Sequence, residues 1–329
     1  GEHVSHKTFS QPPKPEVLVR YLKKNFPGAN YSAAYEAGFS GFWLQESLEE
    51  HGVNCIVVNP ADVPTKDTER KQKRDPMDSR KIARSLKNGD LEAIYVPGKR
   101  TQHDRSLVRT RYKIVGNLTR CKNRIKSLLY FFGIEFPEDF IQSGTHWSRR
   151  FMSWLTQLDL GESSGNVSLG TYIEEAEFLR GLLLKTTREV RALSKTTLYA
   201  KRVKLLMGIP GIGCLTAMVI LTELDNITRF TELDKLCSYV GLIPNVSGSG
   251  ESERIGDITK RGNKMLRKML VESSWVAIRK DPALTLKYNE LRGRMKANKS
   301  IIRIATVSYT HLRAHETGRH ISYAVFCLK

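Results

Sequence analysis

Apolar positions in the first hundred residues alternate between two periods. EVLVRYLKKNFPG (16–28) places its apolar residues three and four apart and stops at Pro-Gly, which predicts a short helix. YSAAYE (31–36) reads as a strand, FWLQESLEEHG (42–52) returns to the helical period and ends on Gly, and CIVVNP (55–60) is a β-branched, apolar strand. A basic loop leads to a helix opening within KRDPMDSRKIA (73–83), and AIYVP (93–97) predicts a last short strand. Strand, helix and strand at these spacings predict α/β layering with some parallel pairing over residues 1–98.

From residue 99 the pattern turns helical. Ile114, Leu118, Cys121, Ile125, Leu128 and Phe132 step by four and three, a heptad-like seam on one long helix. EFPEDFIQSGTHW (135–147) and LGESSGNVSLG (160–170) have loop composition, and a second long helix is predicted from about Tyr172 to Met207. The two helices are expected to pair as an antiparallel arm or to dimerise with another chain. LMGIPGIGCLTAMVILTEL (206–224) sets a tight Pro/Gly turn between two apolar helices. The expected fold class is α/β followed by all-α: an α/β domain over 1–98, a basic helical arm over 99–200 with a loop at 135–171, and a helical domain over 201–306. VSYTHLRAHETGRHISYAVFCLK (307–329) lacks a period and is expected to be a non-native tail, of the kind produced by reading through a sequencing adapter; GEHVSHKTFSQ at the other end reads as a strand already under way.

Charge changes the picture most. Lys and Arg number 53 against 34 Asp and Glu, a net +19, which favours a polyanionic partner because every neutralised phosphate releases counterions. No apolar run approaches the length of a membrane span and no signal peptide opens the sequence, so nucleic acid is favoured over a membrane, in a cytoplasmic setting. Five scattered cysteines with no CxxC pair argue against zinc and against a disulfide framework. Between Lys99 and Lys126 ten Lys/Arg face a single acid, Asp104. A solvated helix face mixes both signs, so Arg109, Arg111, Arg120, Lys122 and Arg124 are candidate nucleic-acid contacts, against the plainer reading of a generic basic coiled-coil surface.

Asp75 and Asp78 raise a different question. Asp-Pro-Met-Asp is a good helix start, with an N-cap acid, Pro at the first helical position and an acid facing the dipole. The two carboxylates also share one helix face and can aim at one hard divalent cation, with Lys73 and Arg74 holding phosphates beside them. Glu36, at the end of a strand just before Gly38, is a third candidate ligand. In the C-terminal half, Gly211 and Gly213 of the turn let a phosphate approach backbone N–H groups, as in a helix-hairpin-helix element, or else build a plain αα-corner. YVGLIPNVSGSGESERIGDITKRGNKMLRKML (239–270) encloses a Gly/Ser centre with cations that include Arg254, Lys260 and Arg261.

YEAGFSGFWLQESLEEHG, VVNPADV and KRDPMDSRKIARSLKNGDL resemble the N-terminal domain of DEDD-type transposases of the insertion sequence 110 family, the bridge-RNA-guided recombinases. GIPGIG, GLIP, SGE and ITKRGN follow the order of that family's C-terminal transposase domain, so the resemblance spans about 1–306. It implies a partial RuvC-like, RNase H-type domain, a coiled-coil arm and a helical serine-transposase domain. It further implies that Glu36, Asp75 and Asp78 are the last three acids of the tetrad and bind Mg²⁺ or Mn²⁺. The first Asp belongs to a strand expected before residue 1. Ser249 falls on the nucleophile, with Ser247 the near alternative. The implied function is a DNA transposase or recombinase of a bacterial or archaeal insertion sequence, nucleoid-associated, guided by an element-encoded RNA and acting as a homo-oligomer, dimer or tetramer. Two alternatives stay open: a RuvC-like junction nuclease that needs no serine, and a non-catalytic nucleic-acid-binding fragment.

Overall fold

The computed structural model describes residues 8–64, 75–249, 252–259 and 261–306. The chain divides into two compact units, 1–98 and 99–329. Most described residues are helical.

The first unit is built on a β-α-β crossover. Helix α1, Pro15–Asn25, opens with Pro in its first turn, where a missing N–H costs nothing. Strand β1, Tyr31–Glu36, runs parallel to β2, Val53–Val58, and helix α2, Trp43–Glu50, makes the connection. The register pairs Tyr31 with Val53 and Glu36 with Val58, so both strands end at the same level. Val53, Cys55 and Val57 alternate inward along β2 and are buried; Val53 and Cys55 pack with Val19 of α1 and Leu48 of α2. Burial pushes the Cys55 thiol up to about 11, so it stays neutral. Helix α3, Asp75–Asn88, packs against β1. The strand predicted at 93–97 reduces to one antiparallel bridge, Ala93 to Val58, with the Ile94 N–H donating to the Val57 carbonyl. Pro97 and Gly98 follow at once, and a residue without an N–H cannot extend a ladder.

In the second unit, helix α4, Lys99–Phe131, and helix α6, Ser163–Ser194, pack along one another, with helix α5, Arg149–Gln157, also against α6. Ile114, Leu118, Cys121 and Ile125 are buried as the seam predicts, but the next buried position is Leu129; Leu128 is only partly covered and Phe132 is 41% exposed. The cause is the period. From 118 to 129 is eleven residues, about three turns of a 3.6-residue helix, whereas a strict heptad drifts off that face. The facing stripe on α6 is Leu169, Ile173, Ala176 and Leu179.

That stripe also explains why the predicted loop at 160–170 is mostly helix. Gly165 packs against Leu160 and Phe132, where a Cβ would make ordinary van der Waals contact with both. Asn166 accepts from the Leu160 N–H at 2.8 Å and donates to Asp159 at 2.7 Å, closing the helix start. Tertiary packing here outweighs Gly/Ser composition. The second long helix, by contrast, ends earlier than predicted, at Ser194, and a turn separates it from helix α7, Ala200–Met207.

Helix α8, Cys214–Leu224, follows the Pro/Gly turn and is buried along nearly its whole length, from Ala217 to Leu224. Around it lie α7, helix α9, Leu233–Val240, and helix α10, Lys264–Ala277, with Leu206, Met218, Leu266 and Leu270 fully buried. Between α9 and α10 the chain makes an antiparallel pair, β3, Pro244–Ser249, and β4, Ser252–Ile258, in the Gly/Ser stretch. Helix α11, Pro282–Arg292, and a helical stretch at 297–306 close the described chain. Among the described residues no helix is long and apolar enough to cross a membrane.

The seam is testable. Leu129→Ala removes a fully buried side chain and is expected to cost about 2–5 kcal/mol in denaturant unfolding. Leu128→Ala is expected to cost clearly less; equal losses would refute the eleven-residue face.

Candidate active site and nucleic-acid interface

Glu36 ends β1, and the following Ala37 N–H still donates to the Val58 carbonyl at 2.8 Å, which holds the strand end against β2. Below the turn that follows, Tyr35 anchors the chain: its hydroxyl donates to the Gly41 carbonyl at 2.9 Å and accepts from the Gln45 N–H. Burial raises the Tyr35 pKa, so the hydroxyl remains a donor. Asp78 lies in the first turn of α3, half-buried, 3.5 Å from Lys81. Glu36 and Asp78 line one cleft of about 510 Å³, floored by the Ala33–Ala34 stretch of β1 and walled by Ile82 and Leu86 of α3. Two sequence-remote carboxylates thus share one concave space with hard oxygen donors. Asp75 is the first residue of α3; its side chain, with Lys73 and Arg74, lies outside the described part. Among the described residues no group of three or more His, Cys, Asp or Glu gathers as a metal cluster.

The basic arm is less free than its sequence suggests. Arg109 donates from two of its guanidinium nitrogens to the two carboxylate oxygens of Glu223 of α8, at 2.7 Å each, which raises its pKa. Arg111 donates to Thr187 at 2.9 Å, Lys122 sits 4.9 Å over the Trp147 ring, and Arg124 pairs with Glu175 at 2.8 Å while lying over Tyr172. Arg120 is exposed and turned toward Asn117 of its own helix. Two like-charge approaches remain between α4 and α6. Burial and then Arg191 lower the pKa of Arg111; burial, then Arg180 and Lys126, lower that of Lys122.

The Pro/Gly turn gives Gly211 and Gly213 different roles. Gly211, at φ +86°, lies so tightly against the Ser273 carbonyl of α10 that a Cβ would collide with it, so this glycine serves packing. Gly213 is exposed, with open space beside its Cα, at the N-cap of α8. Ser247 and Ser249 lie on β3, paired with Arg254 and Ser252 of β4; only the backbone is described at Ser247, Ser249 and Arg254, and Lys260 falls outside the described residues. Arg261 is exposed, and its carbonyl presses on Gly241.

One residue escaped the sequence reading. Glu223 is completely buried, and besides Arg109 it accepts from the Asn263 amide at 2.6 Å. Its signal was present: a lone carboxylate inside CLTAMVILTEL, where a buried charge survives only if paired.

Two family models match the chain. One, described as a transposase of the DEDD class in IS110 elements, covers residues 3–133; the other, the transposase IS116/IS110/IS902 family, covers residues 203–289. A putative transposase of Sinorhizobium fredii is 29% identical over 73% of this chain and 57% of its own length. A second putative transposase of that organism is 27% identical over 82% of this chain and 73% of its own. The transposase for insertion sequence element IS1111A of Coxiella burnetii is 24% identical over 69% of this chain and 60% of its own.

The two ion pairs of α4 are expected to differ in worth. Arg109→Ala strands a buried carboxylate and is expected to cost on the order of 3 kcal/mol in denaturant unfolding. Arg124 and Glu175 are both well exposed, so Arg124→Ala is expected to cost less than about 1 kcal/mol.

Proposed function

The chain belongs to the IS110 family of DEDD transposases, and from that premise we propose that it cuts and exchanges DNA strands at the ends of an insertion sequence, with a divalent metal and a serine nucleophile. The observation that carries the reading is the cleft shared by Glu36 and Asp78, within the region matched by the DEDD model. A parallel strand pair with a helical crossover and a carboxylate at the strand end is compatible with an RNase H-type, RuvC-like domain. The paired helices α4 and α6 serve as its coiled-coil arm, and the α7–α8 turn as its helix-hairpin-helix element.

Two carboxylates in one cleft fit a hard cation, so Glu36 and Asp78, with Asp75 from the same helix, are the residues that would hold Mg²⁺ or Mn²⁺. When bound, the ion stabilises charge that develops on a phosphodiester. Ser249 supplies the nucleophile from β3, with Ser247 the alternative. Its Oγ gives up its proton and forms a bond to phosphorus, the bond from phosphorus to one deoxyribose oxygen breaks, and that oxygen departs as a hydroxyl after taking up a proton, so the step consumes no net proton. Attack by the hydroxyl of a second strand then releases the serine and joins the exchanged strands.

Lys73, Arg74, Arg254, Lys260 and Arg261 hold backbone phosphates near the two sites, and the Gly213 N–H end of α8 receives another. The cations of α4 grip nucleic acid where Arg111 and Lys122 are crowded by like charge. Sequence choice falls to an element-encoded guide RNA, which the net charge of +19 suits. The working form is a homo-oligomer in the cytoplasm of a bacterium or archaeon, close to the nucleoid.

Capture of a labelled DNA end on the protein tests this. Addition of Mg²⁺ is expected to yield a covalent adduct that Ser249→Ala abolishes. Glu36→Gln or Asp78→Asn is expected to slow its formation on the order of 100-fold or more. Metal-dependent cleavage that persists undiminished in Ser249→Ala and Ser247→Ala would instead establish a nuclease using activated water.

A further inference from the structure

The buried carboxylate of Glu223 sits at a junction of four segments remote in sequence. Arg109 reaches it from α4 and Asn263 from the start of α10. Its backbone carbonyl accepts from the Tyr239 hydroxyl of α9 at 3.0 Å, and the neighbouring Thr222 carbonyl accepts from Arg105 at 2.7 Å. A paired charge in a buried place fixes direction as well as distance, because each donor that leaves strands the carboxylate.

Asn263 passes that constraint to the hairpin. Its side chain caps α10 by accepting from the Leu266 N–H at 3.0 Å, and its own N–H donates to the Tyr239 carbonyl at 2.9 Å. Tyr239 is therefore held at both ends. Just beyond it the two chain segments cross: a Cβ on Gly241 would collide with the Arg261 carbonyl, and one on Gly262 with the Tyr239 carbonyl. Both glycines have positive φ, +77° and +112°, so neither the space nor the conformation admits a side chain. Arg267 adds a bond to the Val240 carbonyl at 2.9 Å, and the Thr259 N–H donates to Ile243 at 3.0 Å. From this crossing β3 departs at Pro244 and to it β4 returns after Ile258.

We infer that Glu223 is the positioning residue for the serine hairpin: held by Arg109, it orients Asn263 and so sets the base from which Ser249 is presented. This rests on the serine reading above. Glu223 itself meets no substrate, being fully buried.

The test uses the full chain, a labelled duplex carrying the element's terminus, and Mg²⁺. Asn263→Ser keeps a good helix cap but deletes the amide that reaches Glu223. It is expected to lower single-turnover adduct formation at saturating DNA by about 10- to 100-fold. DNA half-saturation should stay within about twofold, and amide exchange should accelerate in β3 and β4 but not in α8. Asn263→Asp sets carboxylate against carboxylate, whereas adding Glu223→Gln, the double variant, turns an amide donor toward the new carboxylate and is expected to recover part of the rate. An unchanged rate and unchanged hairpin exchange in Asn263→Ser would overturn the inference. If the wild-type chain forms no adduct, the serine reading fails by itself. Hairpin exchange then decides alone: acceleration in Asn263→Ser, reversed by the swap from Asn263→Asp to the double variant, upholds Glu223 as the anchor, and no acceleration removes it.

Discussion

The second unit is organised around one buried negative charge. Glu223 lies in the most apolar of the described helices, and its carboxylate is tolerable only while Arg109 and Asn263 remain bonded to it. That requirement ties α4 to α8 and α8 to the start of α10. Hydrophobic packing around Met218, Leu266 and Leu270 is non-directional and would accept small rotations of these helices. The ion pair does not, so it supplies the register that the apolar contacts leave open.

A similar division holds in the first unit. The β-branched run of β2 supplies burial, while the parallel register to β1 decides that Glu36 stands at the strand's end. Helix α3 then brings Asp78 to the same cleft through its packing on β1. Neither carboxylate is placed by local sequence; both are placed by the elements beneath them.

What the sequence revealed follows from this. CIVVNP was legible because strand propensity and burial agree there, and α3 because Asp-Pro-Met-Asp is a strong local start. Glu36 and Asp78 were each legible as candidate ligands, but not their meeting in one cleft, since nothing in residues 31–36 points to residue 78. The Gly/Ser stretch before Tyr172 misled because its helicity comes from packing on α4 and α5. Leu129 was hidden by a heptad template applied to a helix that keeps an eleven-residue face. Arg109 looked like its basic neighbours, and only the fold distinguishes a cation facing a buried acid from one facing solvent.

The unbroken length of α4 has a geometric consequence. Its 33 residues span about 50 Å at 1.5 Å per residue. Duplex DNA advances 3.4 Å per base pair, so the helix is as long as about fifteen base pairs. Arg111 and Lys122 stand about 16 Å apart on this rod, or about five base-pair steps. One turn of the rod rises about 5.4 Å and one base-pair step about 3.4 Å, so side chains that follow a single face of the helix fall in and out of step with a duplex laid beside it.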